Sequence, residues 1–170
     1  MFRTSAGGML WMDASFRFCS GNLEAAFTTA MSTGGVAMFH GSPHSTFAAT
    51  HPKMWHFLVT DPEKQKLGTQ MGSGSVLIYR TEKMVKRVLL WHVLCALDED
   101  CIAPEGATRG CEFADTFKER VGSCHRYDQS ALSTLLNNLF DFKVGKYALR
   151  HPKQIMRIER WPGKKRPKTC

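Results

Sequence analysis

The sequence predicts an α/β fold, a mixed sheet flanked by helices, in one domain over residues 1–160 with a basic, disordered tail at 161–170. Three observations predict it. Short apolar runs at 9–12, 36–39 and 75–79 have the length and content of strands that share a sheet. Longer stretches at 81–97 and 128–140 repeat apolar residues at helical spacing. A chain of 170 residues, 43% of them hydrophobic, is long enough to bury one real core.

The elements follow in order. Met9, Leu10, Trp11 and Met12 form an unbroken apolar run, as in a strand buried on both faces. The run stops at Asp13-Ala14-Ser15. Ligands of open α/β sheets bind beyond the carboxyl ends of strands, so Asp13 can hold a metal ion, a ribose or a phosphate-bound cation. Otherwise it caps a following helix. Residues 22–31 read as a short helix with Leu23, Ala26, Phe27 and Ala30 inward, and Gly34-Gly35 stops it. Residues 40–51 read as a solvated or substrate-facing loop. Its histidines, His40, His44 and His51, are four and seven residues apart with no helix to align them.

Residues 54–58 look helical and Asp61-Pro62-Glu63 is a turn. Residues 71–80 run from a glycine turn into a strand, and Gly72 and Gly74 would let backbone amides approach a ligand. The glycines precede the strand, so neither a P-loop nor a dinucleotide fingerprint is present. Thr81 caps the helix of 81–97, whose inner face is Val85, Val88, Leu89, His92, Val93 and Ala96. His92 reads as a core histidine, and Asp98-Glu99-Asp100 as a solvated turn. Residues 101–110 are loop, and 111–120 irregular or weakly helical. In the last helix Leu132, Leu135, Leu136 and Leu139 share a face. Before it stands the polar turn Cys124-His125-Arg126-Tyr127-Asp128-Gln129-Ser130, at a helix end where unpaired amides and the dipole favour negative charge. The plain reading of Asp128 is an N-cap. Residues 155–158 are a short strand.

The net charge is +8, from 23 basic and 15 acidic residues, and much of the excess lies at the end, in Arg157, Arg160, Lys164, Lys165, Arg166 and Lys168. Elsewhere bases and acids are mixed, with no basic stripe interleaved with aromatics, so no nucleic-acid partner is expected. No window holds the roughly 18 consecutive apolar residues of a membrane span. The opening residues 1–6 lack a signal pattern. Among six cysteines there is no C-x-x-C pair, which argues against a zinc ribbon. Cys101, Cys111 and Cys124 stand between turn residues and point to disulfides and an oxidising compartment, with the pairing left open.

Residues 91–97 (Trp-His-Val-Leu-Cys-Ala-Leu), 101–104 (Cys-Ile-Ala-Pro) and 124–131 (Cys-His-Arg-Tyr-Asp-Gln-Ser-Ala) resemble a nematode-type domain family of unknown function, DUF1647, itself similar to glycosyltransferases of the GT-A type. The resemblance covers about residues 5–160 and is most specific over 91–132. It implies a GT-A-like fold of which this chain is the C-terminal part, incomplete at the N-terminus because no nucleotide-binding βαβ half precedes Asp13. It implies transfer of a sugar from a nucleotide-sugar to a hydroxyl of a glycan or protein acceptor, in the Golgi lumen or outside the cell. Trp11-Met12-Asp13-Ala14-Ser15 takes the place of the Asp-x-Asp motif, and Gly72 and Gly74 lie in the acceptor-side segment. Asp128, with His125, takes the catalytic place. Asp13, Ser15, Arg126 and Gln129 take the donor and phosphate places. Manganese or magnesium would sit at Asp13, with His151 a further candidate ligand. Ser15 stands where a second acid is usual, so metal binding is weak or catalysis is metal-independent. The alternative is a non-catalytic lumenal or secreted binding module derived from the same fold. A hydrolase built on Asp98, Glu99 or Asp128 ranks last, because neither a nucleophile elbow nor a paired-carboxylate frame is present.

Overall fold

The computed structural model describes residues 7–113, 118–119, 123–152 and 155–158. The chain runs β1 Gly8–Met12, β2 Phe16–Phe18, α1 Glu24–Thr33, β3 Val36–Met38, β4 Gly41–Ser45, a 3-10 turn Pro52–His56, α2 Pro62–Gln65, β5 Thr69–Met71 and β6 Ser75–Tyr79. It continues as one helix in three pieces: α3 Glu82–Met84, a π-turn Val85–Leu89 and α4 Leu90–Ala96. Then come α5 Glu99–Ile102, α6 Asp128–Leu139, a 3-10 turn Val144–Lys146 and β7 Met156–Ile158. The tail at 161–170 lies outside the described residues.

The three apolar runs do share a sheet, in the order β1-β6-β3. β6 is antiparallel to both neighbours, with Trp11 and Met38 on either side of Val76, and Met9 and Val36 on either side of Ile78. β2 pairs with β7, and β4 with β5, also antiparallel. The expected single mixed sheet is therefore corrected to three small antiparallel ones. The parallel pairings among the described residues are isolated bridges, Met38 with Ala148 and Thr108 with Cys124.

Alternation along the strands divides the interior in two. Val36, Met38, Val76 and Ile78 face a core made with Met84, Val88, Leu132, Leu135 and Leu136. Ala37, Phe39 and Leu77 face a second core made with Ala26 and Ala30 of α1 and with Leu149, Ile155 and Met156. The result is an α/β layering: α1 on one side of the sheet, and the 82–96 helix with α6 on the other.

Four expectations change. β1 is an edge strand, so Met9 and Trp11 are each 54% exposed and the run is not buried on both faces. Phe27 lies outside the α1 contact face. Part of 40–51 is the strand β4, because β5 supplies its partner groups. In the 81–97 helix Thr81 caps as expected, accepting from Met84 N–H at 3.2 Å; Val88 is buried and Leu89 packs on the core as expected, but Met84 and Cys95 complete the inner face. A π-turn holds an extra residue per turn. It rotates the following turns, leaving Val93 and Ala96 outward.

α6 carries its leucines as expected, with a second seam of buried polar residues: Ser130, Ser133, Thr134 and Asn137. Asn137 donates from Nδ2 to Thr46 Oγ1 at 3.0 Å and Gln65 Oε1 at 2.8 Å, and accepts from Tyr147 Oη at 2.7 Å. Its side chain lies directly on Gly68, where an added Cβ would stand 2.8 Å from Cγ. Replacing Asn137 by Leu leaves Gln65 Oε1 and the Tyr147 hydroxyl buried without their partner, which costs on the order of 3 kcal/mol. Gly68→Ala is expected to destabilise in the same direction by overpacking, by about 1–3 kcal/mol. Urea unfolding of both variants checks this, and wild-type midpoints would show that the seam contributes nothing.

Candidate functional site

The β1–β2 turn begins at Asp13, whose N–H donates to Gly74 O at 2.8 Å and whose carbonyl accepts from Phe16 N–H at 3.0 Å. Asp13 thus opens a turn into β2 and caps no helix. Gly74 permits its approach: a Cβ there would lie 2.5 Å from Asp13 Oδ2 and 2.9 Å from Phe16 Cε2. Phe16 meets the His40 ring edge-on at 5.0 Å, and His40 Nδ1 lies 3.3 Å from Ser75 Oγ. The Gly72 amide is engaged by His40 O at 2.7 Å, so it serves the β4–β5 junction and is not open to a ligand. Ser15 is half-buried in the β1–β2 turn.

Two residues beyond His40, Ser42 Oγ accepts from Gln129 Nε2 at 3.1 Å. Asp13, Gly74, Ser75, His40, Ser42 and Gln129 therefore form a continuous strip joining the end of β1 to the start of α6. Residues more than a hundred positions apart are brought together by β6 and β4. Ser42 gives no sequence signal, because its contact exists only once β4 is paired.

The turn entering α6 is strained and pinned. The N-cap is Tyr127, with φ 47° and ψ −119° and no side-chain cap, and not Asp128, which is the first helical residue and exposed. An L-residue holds such a conformation at a cost of about 1–3 kcal/mol. His125 supports it. Nδ1 accepts from His51 N–H at 3.1 Å and Nε2 lies 3.1 Å from Ile102 O. A carbonyl only accepts, so the proton sits on Nε2. Tyr127 packs edge-on against this ring at 5.2 Å. Arg126 N–H lies 3.0 Å from Ser130 Oγ and 3.2 Å from Ala49 O. Its Nε is buried with no partner among the described residues. The neighbouring His44 stacks on Phe113 at 4.4 Å; burial lowers its pKa, and the Arg126 charge adds to the effect.

Disulfides Cys95–Cys101 and Cys111–Cys124 brace both approaches to this turn. They are compatible with a secreted or lumenal protein. No helix among the described residues is long and apolar enough to cross a membrane.

His151 stands elsewhere. It lines a groove of about 670 Å³ with Asn22, Thr28, Ser32, Lys146 and Arg150, none of them in the strip. Among the described residues no three His, Cys, Asp or Glu side chains are placed to hold a metal ion. Asp13 and Ser15 share the β1–β2 turn while His151 lines this separate groove, so the two candidate metal positions do not form one site.

No protein-family model, curated protein or solved structure matches this chain. The resemblance to DUF1647 and to GT-A transferases rests on the quoted residues alone.

His125 gives the turn a pH signature. Burial, with the nearby His51, pushes its pKa from 6.5 to about 4, against the opposing pull of the Ile102 carbonyl. The unfolded chain therefore takes up a proton near pH 6.5 that the folded chain refuses until about pH 4. The neutral ring's stabilisation is complete above the unfolded value and is lost as pH falls through this window, in all roughly 3 kcal/mol. Urea unfolding from pH 7.5 to 4 is expected to show that decline, and His125→Gln to flatten it. A wild-type curve flat between pH 6.5 and 4 would show that the ring is not buried neutral.

Proposed function

We propose that this domain binds a nucleotide-sugar and transfers its sugar to a hydroxyl of a glycan or protein acceptor. One observation carries the reading: a buried Arg126 Nε with no partner among the described residues, beside a helix N-terminus with no side-chain cap. A buried guanidinium donor and the positive end of the α6 dipole are both suited to an anion such as a diphosphate. The strip from Asp13 to Gln129 supports it further, since both ends hold residues to which the resemblance assigns donor contacts.

In this mechanism the acceptor oxygen attacks the anomeric carbon, and the bond from that carbon to the diphosphate oxygen breaks. The electron pair leaves with the diphosphate, whose charge Arg126 and the α6 dipole stabilise. The acceptor proton passes to the exposed carboxylate of Asp128, which must lie within hydrogen-bond reach of that hydroxyl. Asp13 holds the donor's ribose, and Gln129, fixed by Ser42, lies beside the sugar. His125 is a positioning residue, because both ring nitrogens are engaged by backbone.

A second reading is a non-catalytic lumenal or secreted binding module. It is favoured by Ser15 in the place of a second acid and by the absence of a three-ligand metal group among the described residues. A thermal-shift panel of uridine and guanosine diphosphate sugars, with and without manganese, separates the two. A donor at about a hundred times its Kd stabilises by roughly 2.7 kcal/mol, raising Tm by about 5–10 °C. Arg126→Ala is expected to weaken that binding at least about tenfold. Asp128→Asn is expected to keep the shift and lose transfer. No shift with any donor, together with a shift from an acceptor glycan alone, would replace the transferase reading with the binding module.

A further inference from the structure

α4 presents an apolar face to solvent. Cys95 points inward and His92 is half-buried beside α6, while Leu90, Trp91, Val93 and Leu94 are about half exposed and Leu97, just past its end, is 81% exposed. An apolar helix stripe ordinarily packs against another element. Leu90, Leu94 and Leu97 follow the four-then-three spacing of a helix–helix seam, with Trp91 and Val93 as flanks. Beside Trp91 lies a groove of about 480 Å³ that adds Phe57, Val59, Leu135 and Leu139.

We infer that this face is covered by the same face of a second copy, with the two α4 helices antiparallel. Two observations select that occupant. The first is charge. At the start of the seam Arg87 is exposed and has no ion pair among the described residues, whereas Lys86 is engaged by Glu82 at 2.6 Å. At the other end Glu99 and Asp100 are exposed, on a turn that the Cys95–Cys101 disulfide holds against the helix. An antiparallel pair centred near Val93 sets Arg87 of each copy against the acids of the other, at both ends of a two-fold contact. A parallel pair would set like charges together. The second is area. A stable interface takes about 800 Å² from each partner. Phe57, Val59, Leu90, Trp91, Val93, Leu94 and Leu97, each 41–81% exposed, offer apolar surface of that order.

The proposal is independent of the transferase reading. Sedimentation velocity of the full chain over a micromolar concentration series tests it. The expected result is a concentration-dependent dimer that Leu94→Asp weakens at least about thirtyfold. Leu97→Glu, at a position too exposed to disturb the fold, is expected to do the same, with circular dichroism confirming an unchanged chain. Arg87→Glu is expected to weaken the dimer about tenfold, and adding Glu99→Arg to restore it. A monomer throughout the series overturns the proposal. If that monomer binds phosphatidylcholine vesicles, and Leu97→Glu abolishes the binding, the face is a membrane contact instead. A dimer indifferent to both leucine variants places the interface elsewhere. A charge swap that fails to restore association overturns the antiparallel arrangement.

Discussion

The polar seam of α6 is the constraint on which the rest of the structure depends. Serine and asparagine are ordinarily poor choices for a helix face buried against strands, since each brings polar atoms that must find partners there. Here the backbone of the β4–β5 region supplies them. Ser133 Oγ lies 3.1 Å from both the N and O of Met71, so the helix meets the free edge of β5 as a further strand would. Ser130 Oγ donates to Ala49 O at 2.7 Å and accepts from Gln70 Nε2 at 3.1 Å. Asn137 ties in Thr46, Gln65 and Tyr147. A helix with leucines on this side would pack more loosely and leave those backbone groups unsatisfied. The seam therefore fixes the rotation and depth of α6, and with them the placement of Arg126, Asp128 and Gln129 at its start.

Much of the fold was legible in the sequence, and the failures have a common cause. The sheet of 9–12, 36–39 and 75–79, the Thr81 cap and the Gly34 stop follow from local spacing and chemistry, and all are present. What was not legible depends on partners far along the chain. The stretch from Gly41 to Ser45 looks like loop until β5 pairs with its two ends. The run at Met9 looks doubly buried because an apolar run does not say whether its strand lies at an edge. Ser130, Ser133 and Asn137 give no sequence signal of burial because their partners, between Thr46 and Met71, are sixty to ninety positions away. The π-turn has no signature in the apolar pattern, and beyond it Val93 and Ala96, expected inward, face out.

The site was legible in the same uneven way. Loop cysteines pointed to disulfides, and Cys111–Cys124 fits that reading. Cys95 was read as a helix residue, so its bridge to Cys101 was out of reach. The polar turn at 124–130 stood out as a cluster, but the division of labour within it could not be read from residue types. His125 looks like the chemically active member, and both of its ring nitrogens are engaged by backbone. Arg126, to which the resemblance assigns a phosphate place, has a buried Nε with no partner among the described residues.

That division of labour has a physical logic. Tyr127 at φ 47° is a conformation the chain would relax if it could. It persists because His125 is held at both nitrogens, Cys124 is bonded to Cys111, and Arg126 N–H is shared between Ser130 Oγ and Ala49 O. A relaxed turn would allow a side-chain cap at Asp128. The strained turn leaves α6 without one, with Gln129 N–H held by Arg126 O at 3.0 Å and Asp128 carried one position into the helix and out to solvent. The strain and the missing side-chain cap are thus one feature. Buried scaffold on the inner side of the turn, with His125 held neutral down to about pH 4, keeps Asp128 presented on the outer side, where the proposed ligands would approach.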